Sequence, residues 1–264
     1  MIRRAALVRF DRVAESGRNK PVRVAVETED GEEHEAFLKF SGRPELGVEG
    51  LVNELLAVML AGDLGLPVNE PFLVDITEEW ICLVNDAALA EVLRASAPVG
   101  FGSKAAGSQW KVWSAGDTIG DARVDGALAI LAFDAYIEND DRKPTNSNCL
   151  IRGDEFRIID HELAFRIRQK LFPRPEPWAN GYLHRFVGPD GHIFGAKLKG
   201  KAINTQPIRM AWAGLSDARL EGYSYAIPEA WAEASQAVTA ALTHLRNVRD
   251  RIDLCLAELE RALT

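Results

Sequence analysis

Acidic and amide side chains that could bind a divalent cation and orient a hydroxyl group are concentrated between residues 139 and 162. Asp141 stands five residues before Asn146, and Asp160 follows the apolar pair Ile158-Ile159. Mg²⁺ prefers oxygen ligands and keeps several waters, so one Asp and one Asn carbonyl are a typical contribution from a protein. Metal ligands beside a carboxylate that orients a hydroxyl group suit phosphoryl transfer, in which the protein does little covalent chemistry.

A β-hairpin predicted between these side chains would bring them together. With a turn at residues 152–155, Ser147 opposes Asp160, and opposed side chains have Cβ atoms about 5 Å apart. Asn146 and Asp160 are therefore expected at the open end of one hairpin, with Asp141 on the loop that leads into it. Protein kinases combine a D-x-x-x-x-N loop, a hairpin and a second Asp in this order. The alternative is a solvated polar loop, because Asp and Asn are common in turns.

Lys39 ends an apolar strand, and Glu54 lies in the next predicted element, a helix over residues 48–64. In kinases a strand lysine binds the α- and β-phosphates and pairs with a helix glutamate. We predict that Lys39 and Glu54 form such a pair. The alternative for each residue is a charge that faces water on the protein surface.

The loop before this strand is a candidate cover for phosphate groups. A hairpin is predicted over residues 22–40, and if Thr28 opposes Glu33, then Val22 opposes Lys39. Ser16 and Gly17 in the preceding loop would then lie beside Lys39. The loop lacks G-x-G-x-x-G, so an ordinary hairpin loop remains an equal alternative.

The elements that must position these residues divide the chain into a β-rich and a helical part. Hydrophobic periodicity and turn residues predict one or two strands over 71–84, a short helix over 86–95 and a Gly-rich linker over 100–120. They also predict an apolar helix over 126–137, an ambiguous region over 166–226 and one or two helices over 229–263. This order indicates an α+β fold.

Composition limits the other classes of protein. The 264 residues include 47% hydrophobic and 27% charged residues, and the net charge of −8 disfavours nucleic acid as the main partner. No apolar run reaches the roughly 18 residues of a membrane span. Cys82, Cys149 and Cys255 have no metal-site spacing. We therefore expect buried, reduced thiols and a cytoplasmic location.

The chain also resembles a known family. Three segments resemble, in the same order, segments of the stand-alone HipA-like kinases: Asn139-Asp140-Asp141-Arg142, Asn146-Ser147-Asn148-Cys149-Leu150, and Ile159-Asp160-His161-Glu162-Leu163-Ala164-Phe165. These kinases belong to the phosphatidylinositol-kinase-like branch of the kinase superfamily. Upstream, the same resemblance includes Val52-Asn53-Glu54-Leu55-Leu56-Ala57, Leu64-Gly65-Leu66-Pro67-Val68 and Gly100-Phe101-Gly102-Ser103-Lys104. It extends over about residues 15–165.

The resemblance implies a protein-kinase-like, two-lobed fold. Residues 1–104 would form a β-rich nucleotide-binding lobe and residues 105–264 a mostly helical lobe. Phe101 would lie in the hinge, near 100–104, that holds adenine. His161 departs from protein kinases, which have Phe after the second Asp.

The resemblance also implies the cofactors and the roles of the site residues. ATP and Mg²⁺ would be bound, with Asp141 as catalytic base, Asn146 and Asp160 as metal ligands and Lys39 on the nucleotide phosphates. The activity implied is that of a serine/threonine protein kinase. Longer HipA toxins work beside a DNA-binding antitoxin.

The same residues are compatible with three other functions. The acceptor could be a small molecule rather than a protein, because a fold does not fix the substrate. The protein could be a nucleotide-binding pseudokinase that acts as a scaffold. The same metal site could also serve nucleotidyl transfer.

Overall fold

Five strands between residues 3 and 104 form a closed β-barrel in the computed structural model. The structure describes residues 2–13, 21–43, 46–167 and 175–264. The strand order around the barrel is β1-β2-β3-β5-β4. The strands are β1 (Arg3–Val13), β2 (Val22–Thr28), β3 (Glu33–Lys39), β4 (Pro71–Asp75) and β5 (Val99–Lys104).

The hairpin that carries Lys39 forms as predicted, but its register differs by one residue. Val22 pairs with Leu38 rather than Lys39. The cause is the turn, in which the Thr28 amide donates to the Glu32 carbonyl and Gly31 adopts a φ of 80°. Glycine has no Cβ and takes this left-handed conformation readily, so three residues close a loop for which four had been predicted.

Helix α1 (Val48–Asp63) lies between the barrel and the helical part of the chain. It is buried on nearly every face, as expected for a helix that is apolar all round. Gly65, with a φ of 71°, ends it in the left-handed conformation that favours glycine. The predicted helix over 48–64 is confirmed.

The region between β4 and β5 is helical. It contains α2 (Glu78–Ile81) and α3 (Ala87–Arg94). Of the one or two strands predicted over 71–84, the second, from Trp80 to Val84, is therefore wrong, and the predicted helix over 86–95 is confirmed. Thr77 caps α2 by accepting a hydrogen bond from the Trp80 amide, which favours a helical turn. Cys82 directly follows α2 and is exposed, contrary to the prediction that it is buried.

The glycines of β5 serve close packing in the barrel rather than a flexible linker. A Cβ on Gly100 would lie 2.6 Å from Leu38 Cδ1, and one on Gly102 would lie 2.7 Å from Val74 Cγ2. Because side chains alternate along a strand, Phe101 points the other way, into the core shared with α1. The prediction of a linker is therefore wrong for residues 100–104.

The rest of the chain is mostly helical around a small three-stranded sheet. The sheet has the order β6-β7-β8, formed by β6 (Lys111–Val112), β7 (Cys149–Arg152) and β8 (Glu155–Ile158). The helices are α4 (Asp121–Tyr136), α5 (His184–Val187), α6 (Gly195–Leu198), α7 (Gln206–Ala213), α8 (Asp217–Tyr225), a 3₁₀ helix (Glu229–Ala234), α9 (Ser235–Asp250) and α10 (Ile252–Leu263).

The hairpin that should carry the site has the predicted register. Ile151 pairs with Phe156, Cys149 pairs with Ile158, and the Ile159 amide donates to the Asn148 carbonyl. The apolar helix before it, α4, begins five residues earlier than predicted. No helix among the described residues is both long enough and apolar enough to cross a membrane.

Candidate functional site

Lys39 lies at the centre of a cluster of carboxylates between the barrel and the β7–β8 hairpin. Its ammonium group donates to Glu54 Oε1, to Asp160 Oδ1 at 2.7 Å and to Glu162 Oε2 at 3.1 Å. The Lys39 side chain is only 12% exposed, whereas that of Asp160 is 32% exposed. The predicted contact between Lys39 and Glu54 is present, and Asp160 faces the solvent side of the cluster.

Burial and charge act in opposite directions on this cluster. Burial would lower the pKa of Lys39, but the charges of Glu54, Asp160 and Glu162 raise that pKa well above its ordinary value. Burial would likewise raise the pKa of Glu54, yet the charge of Lys39 holds it below its usual range. For Glu162 the effect of burial exceeds that of the Lys39 charge, and the pKa rises to about 7. Lys39 and Glu54 are therefore a charged pair.

Helix α1 is fixed directly to the segment that follows β8. Asn53 is 2% exposed, and its Nδ2 donates to the Glu162 carbonyl at 2.9 Å. Its neighbour Glu54 contacts Lys39. One turn of α1 thus reaches both the barrel and the segment of Asp160, and the position of the helix sets the geometry of the carboxylate cluster.

Asp141 is held by two amide side chains of the loop that leads into the hairpin. Its Oδ2 accepts from Asn146 Nδ2 at 2.7 Å and from Asn148 Nδ2 at 3.2 Å. Burial and the nearby charge of Asp160 raise the pKa of Asp141, against the effect of these hydrogen bonds. A higher pKa makes the carboxylate a stronger base.

Two residues at the open end of the hairpin have an uncommon backbone conformation. Asn148 has a φ of 43° and Asp160 a φ of 61°. Asn and Asp enter the left-handed region more readily than other residues with a side chain, and such conformations cluster at functional sites.

Arg142 braces this end of the hairpin from inside the protein. It is fully buried, and its Nη1 donates to the Asn148 carbonyl and, at 3.1 Å, to the Ile159 carbonyl. One guanidinium group therefore holds the backbone on both sides of the hairpin end, next to Asp160.

A buried network fixes Arg142 in turn. Arg142 Nε donates to Asp134 Oδ2 at 2.6 Å, and the same carboxylate binds Asn139 Nδ2 at 2.7 Å and His192 Nε2 at 2.9 Å. His192 Nδ1 accepts from the Phe194 amide, so Nε2 carries the proton and donates to Asp134. Burial would raise the pKa of Asp134, but the charge of Arg142 and the hydrogen bond from His192 lower it.

The structure brings most of the predicted site residues together. Lys39, Glu54 and Asp160 are in contact, and Asn146 contacts Asp141. Phe101 is 2% exposed and lies in the core, not on a free hinge. Ser16 and Gly17 lie outside the described residues.

Several residues of the site escaped sequence reasoning. Glu162 contacts Lys39, and the pattern that could have indicated it is the second acid in D-x-E. Asn148 contacts Asp141, and the corresponding pattern is the second amide in N-x-N. Asn53 had a weaker signal, as a polar residue on an apolar helix. Asp134 and His192 carried no usable signal, because residues so distant in sequence meet only in the folded chain.

A lysine on a barrel strand, its helix glutamate, a loop Asp and a hairpin Asp are the side chains that a kinase-type phosphotransferase combines. The chain belongs to the HipA-like kinase family, whose model matches residues 12–258. The resemblance noted over residues 15–165 thus extends through most of the helical part. The comparison with curated proteins gave no match.

Proposed function

We propose that the chain is a kinase that uses ATP and Mg²⁺ to phosphorylate a serine or threonine hydroxyl group of a protein. The observation that supports this most is the position of Lys39, shared between Glu54 and Asp160. Lys39 is a buried cation that is held by Glu54 of α1 and contacts the more exposed Asp160. A cation in this position suits the α- and β-phosphates of a nucleotide.

In the proposed reaction Asp141 acts on the acceptor. Its carboxylate takes the hydroxyl proton as the new O–P bond forms and the bond from the γ-phosphorus to the bridging oxygen breaks, which releases ADP. Asn146 and Asn148 fix the orientation of Asp141. The raised pKa of Asp141 favours this role.

The residues present fit a magnesium ion. Asp160 offers a partly exposed carboxylate, and Asn146, whose Nδ2 donates to Asp141, offers its side-chain Oδ1 as a metal ligand. Oxygen ligands of this kind are those that Mg²⁺ prefers. A bound Mg²⁺ would neutralise charge on the phosphates.

We also propose that the barrel and the helical part act as two lobes, divided between residues 104 and 105. The end of β5 would then lead into the hinge beside adenine, and the buried Phe101 would support that hinge from the core. The three cysteines are free, which fits the cytoplasm, where we place the protein.

The acceptor has a candidate position next to the catalytic loop. A cavity of about 100 Å³ is lined by residues of this loop and of the segment around α5, including Lys143, Arg185, Gly191 and His192. Its lining includes Asp140 and Arg142, the two chain neighbours of Asp141, so a side chain of the acceptor that entered it would lie close to the catalytic loop.

Transfer of label from ATP tests the function directly. The purified protein is incubated with Mg²⁺ and ATP labelled at the γ-phosphate, alone and with a cell lysate. Phosphoserine or phosphothreonine on the protein itself or on a lysate protein is expected. No γ-label on any protein would contradict the proposal, and label from the α-phosphate would indicate nucleotidyl transfer. Competition by small alcohols would indicate a small-molecule kinase.

Lys39→Arg is expected to lower kcat/KM for ATP about 10²-fold, because a misplacement of about 1 Å can have that effect. The charge is kept, but the planar guanidinium cannot reproduce the three contacts of one ammonium group. Lys111→Arg is the matched control, because Lys111 is 68% exposed and pairs with Asp117. Steady-state kinetics with both variants checks this, and equal activities would exclude Lys39 from the phosphate site.

A further inference from the structure

His161 occupies a central position between the catalytic loop and α1. It lies between Asp160 and Glu162 in sequence, and it is 1% exposed. Its Nε2 is 3.1 Å from Arg142 Nη2, and its Nδ1 is 3.7 Å from Glu54 Oε2. The ring therefore stands between a residue that braces the hairpin and the glutamate that holds Lys39.

The contact with Arg142 fixes the position of the proton on the imidazole ring. A guanidinium group only donates hydrogen bonds, so Nε2 must accept from Arg142. The proton of the neutral ring is then on Nδ1. This Nδ1 is buried and has no hydrogen-bond partner among the described residues, although the nearest carboxylate oxygen belongs to Glu54.

The distance from Nδ1 to Glu54 is longer than a hydrogen bond by about 0.7 Å. Hydrogen bonds of a catalytic site are often long before the substrate binds and tighten in the complex. Helix α1 and the segment of His161 are already connected, because Asn53 on α1 donates to the Glu162 carbonyl. A small movement of α1 toward the segment of His161 would close the gap.

We propose that His161 is a positioning residue that donates its Nδ1–H to Glu54 Oε2 when nucleotide binds, and so holds Glu54 in place beside Lys39. The inference rests on the proposed function. Glu54 would then give one oxygen to Lys39 and the other to His161. The nucleotide-bound position of Lys39 would depend on the ring that also contacts Arg142.

A matched pair of substitutions separates the two sides of the ring. In His161→Asn the amide nitrogen can take the place of Nδ1, so the donor toward Glu54 is kept. In His161→Gln the amide oxygen can take the place of Nε2, so the acceptor for Arg142 is kept and the donor is lost. Both variants lose the edge contact of the ring with Phe133 at 5.9 Å, so this packing loss is common to the two.

The dissociation constant of Mg²⁺-ATP, measured by titration below the melting temperature, is the readout. His161→Asn is expected to bind within about threefold of the wild type, and His161→Gln about tenfold more weakly, as expected for a lost hydrogen bond to a charged group. Equal losses in both variants, or a larger loss in His161→Asn, would overturn the inference alone. A wild-type protein that binds no nucleotide would overturn the proposed function as well.

A second measurement does not depend on the folding of the variants. In ¹⁵N-histidine-labelled wild-type protein, NMR is expected to show the His161 proton on Nδ1, with a downfield shift of that proton upon addition of Mg²⁺-ATP. A proton on Nε2, or no change at Nδ1 with nucleotide bound, would overturn the inference.

Discussion

Asp141→Asn is expected to lower kcat by about 10²- to 10⁴-fold, the usual contribution of a general base. The amide oxygen can still accept the hydrogen bonds of Asn146 and Asn148, so the loop should keep its shape. The amide cannot take the proton of the acceptor hydroxyl group. Because Asp141 forms no hydrogen bond or ion pair with Lys39 or α1 among the described residues, the affinity for nucleotide should change little.

Asp154→Asn is the control for this prediction. Asp154 lies in the turn of the same hairpin, 71% exposed, and pairs with Arg123 at the surface. Its substitution should leave kcat unchanged. The two variants are compared by single-turnover phosphate transfer at saturating ATP. A folded Asp141→Asn variant that turns over as fast as Asp154→Asn would remove Asp141 from the mechanism.

Arg142→Met is expected to lower the free energy of unfolding by about 3–5 kcal/mol, because removal of one partner leaves a buried charge without compensation. Asp134 would keep only its contacts with Asn139 and His192. The Asn148 and Ile159 carbonyls would also lose their common donor. The hairpin end would loosen, so turnover should fall together with stability.

Urea denaturation of Arg142→Met beside Arg94→Met gives the comparison. Arg94 forms an exposed pair with Glu78, and exposed pairs contribute roughly 0–1 kcal/mol. A small loss for Arg94→Met with a large loss for Arg142→Met is the predicted pattern. Similar small losses for both would mean that Arg142 does not brace the fold.

The sequence predicted the parts of the site that depend on local pattern. The β7–β8 register followed from the position of one turn, and it placed Asp160 at the hairpin end. The pairing of Lys39 with Glu54 followed from a strand and a helix that are consecutive in the chain. These predictions needed only short-range geometry.

The parts that were wrong or missing depend on packing. The apolar run Trp80 to Val84 reads as a strand, but the Thr77 cap and the barrel interior favour a short helix there. Gly100 and Gly102 read as a linker, although the real constraint is the close approach of Leu38 and Val74 across the barrel. The contact between Asp134 and His192 joins residues that are 58 positions apart in the sequence, and no local sequence pattern predicts such a contact.

Thermal melting with nucleotide tests the central claim most directly. Wild-type protein and Asp160→Ala are melted without nucleotide, with Mg²⁺-ATP and with Mg²⁺-GTP. A ligand at 100 times its dissociation constant stabilises the folded state by about 2.7 kcal/mol. We predict a rise in Tm that is specific for ATP in the wild type and absent in Asp160→Ala. No rise in the wild type at saturating Mg²⁺-ATP, or the same rise in both proteins, would contradict a nucleotide site at Lys39 and Asp160.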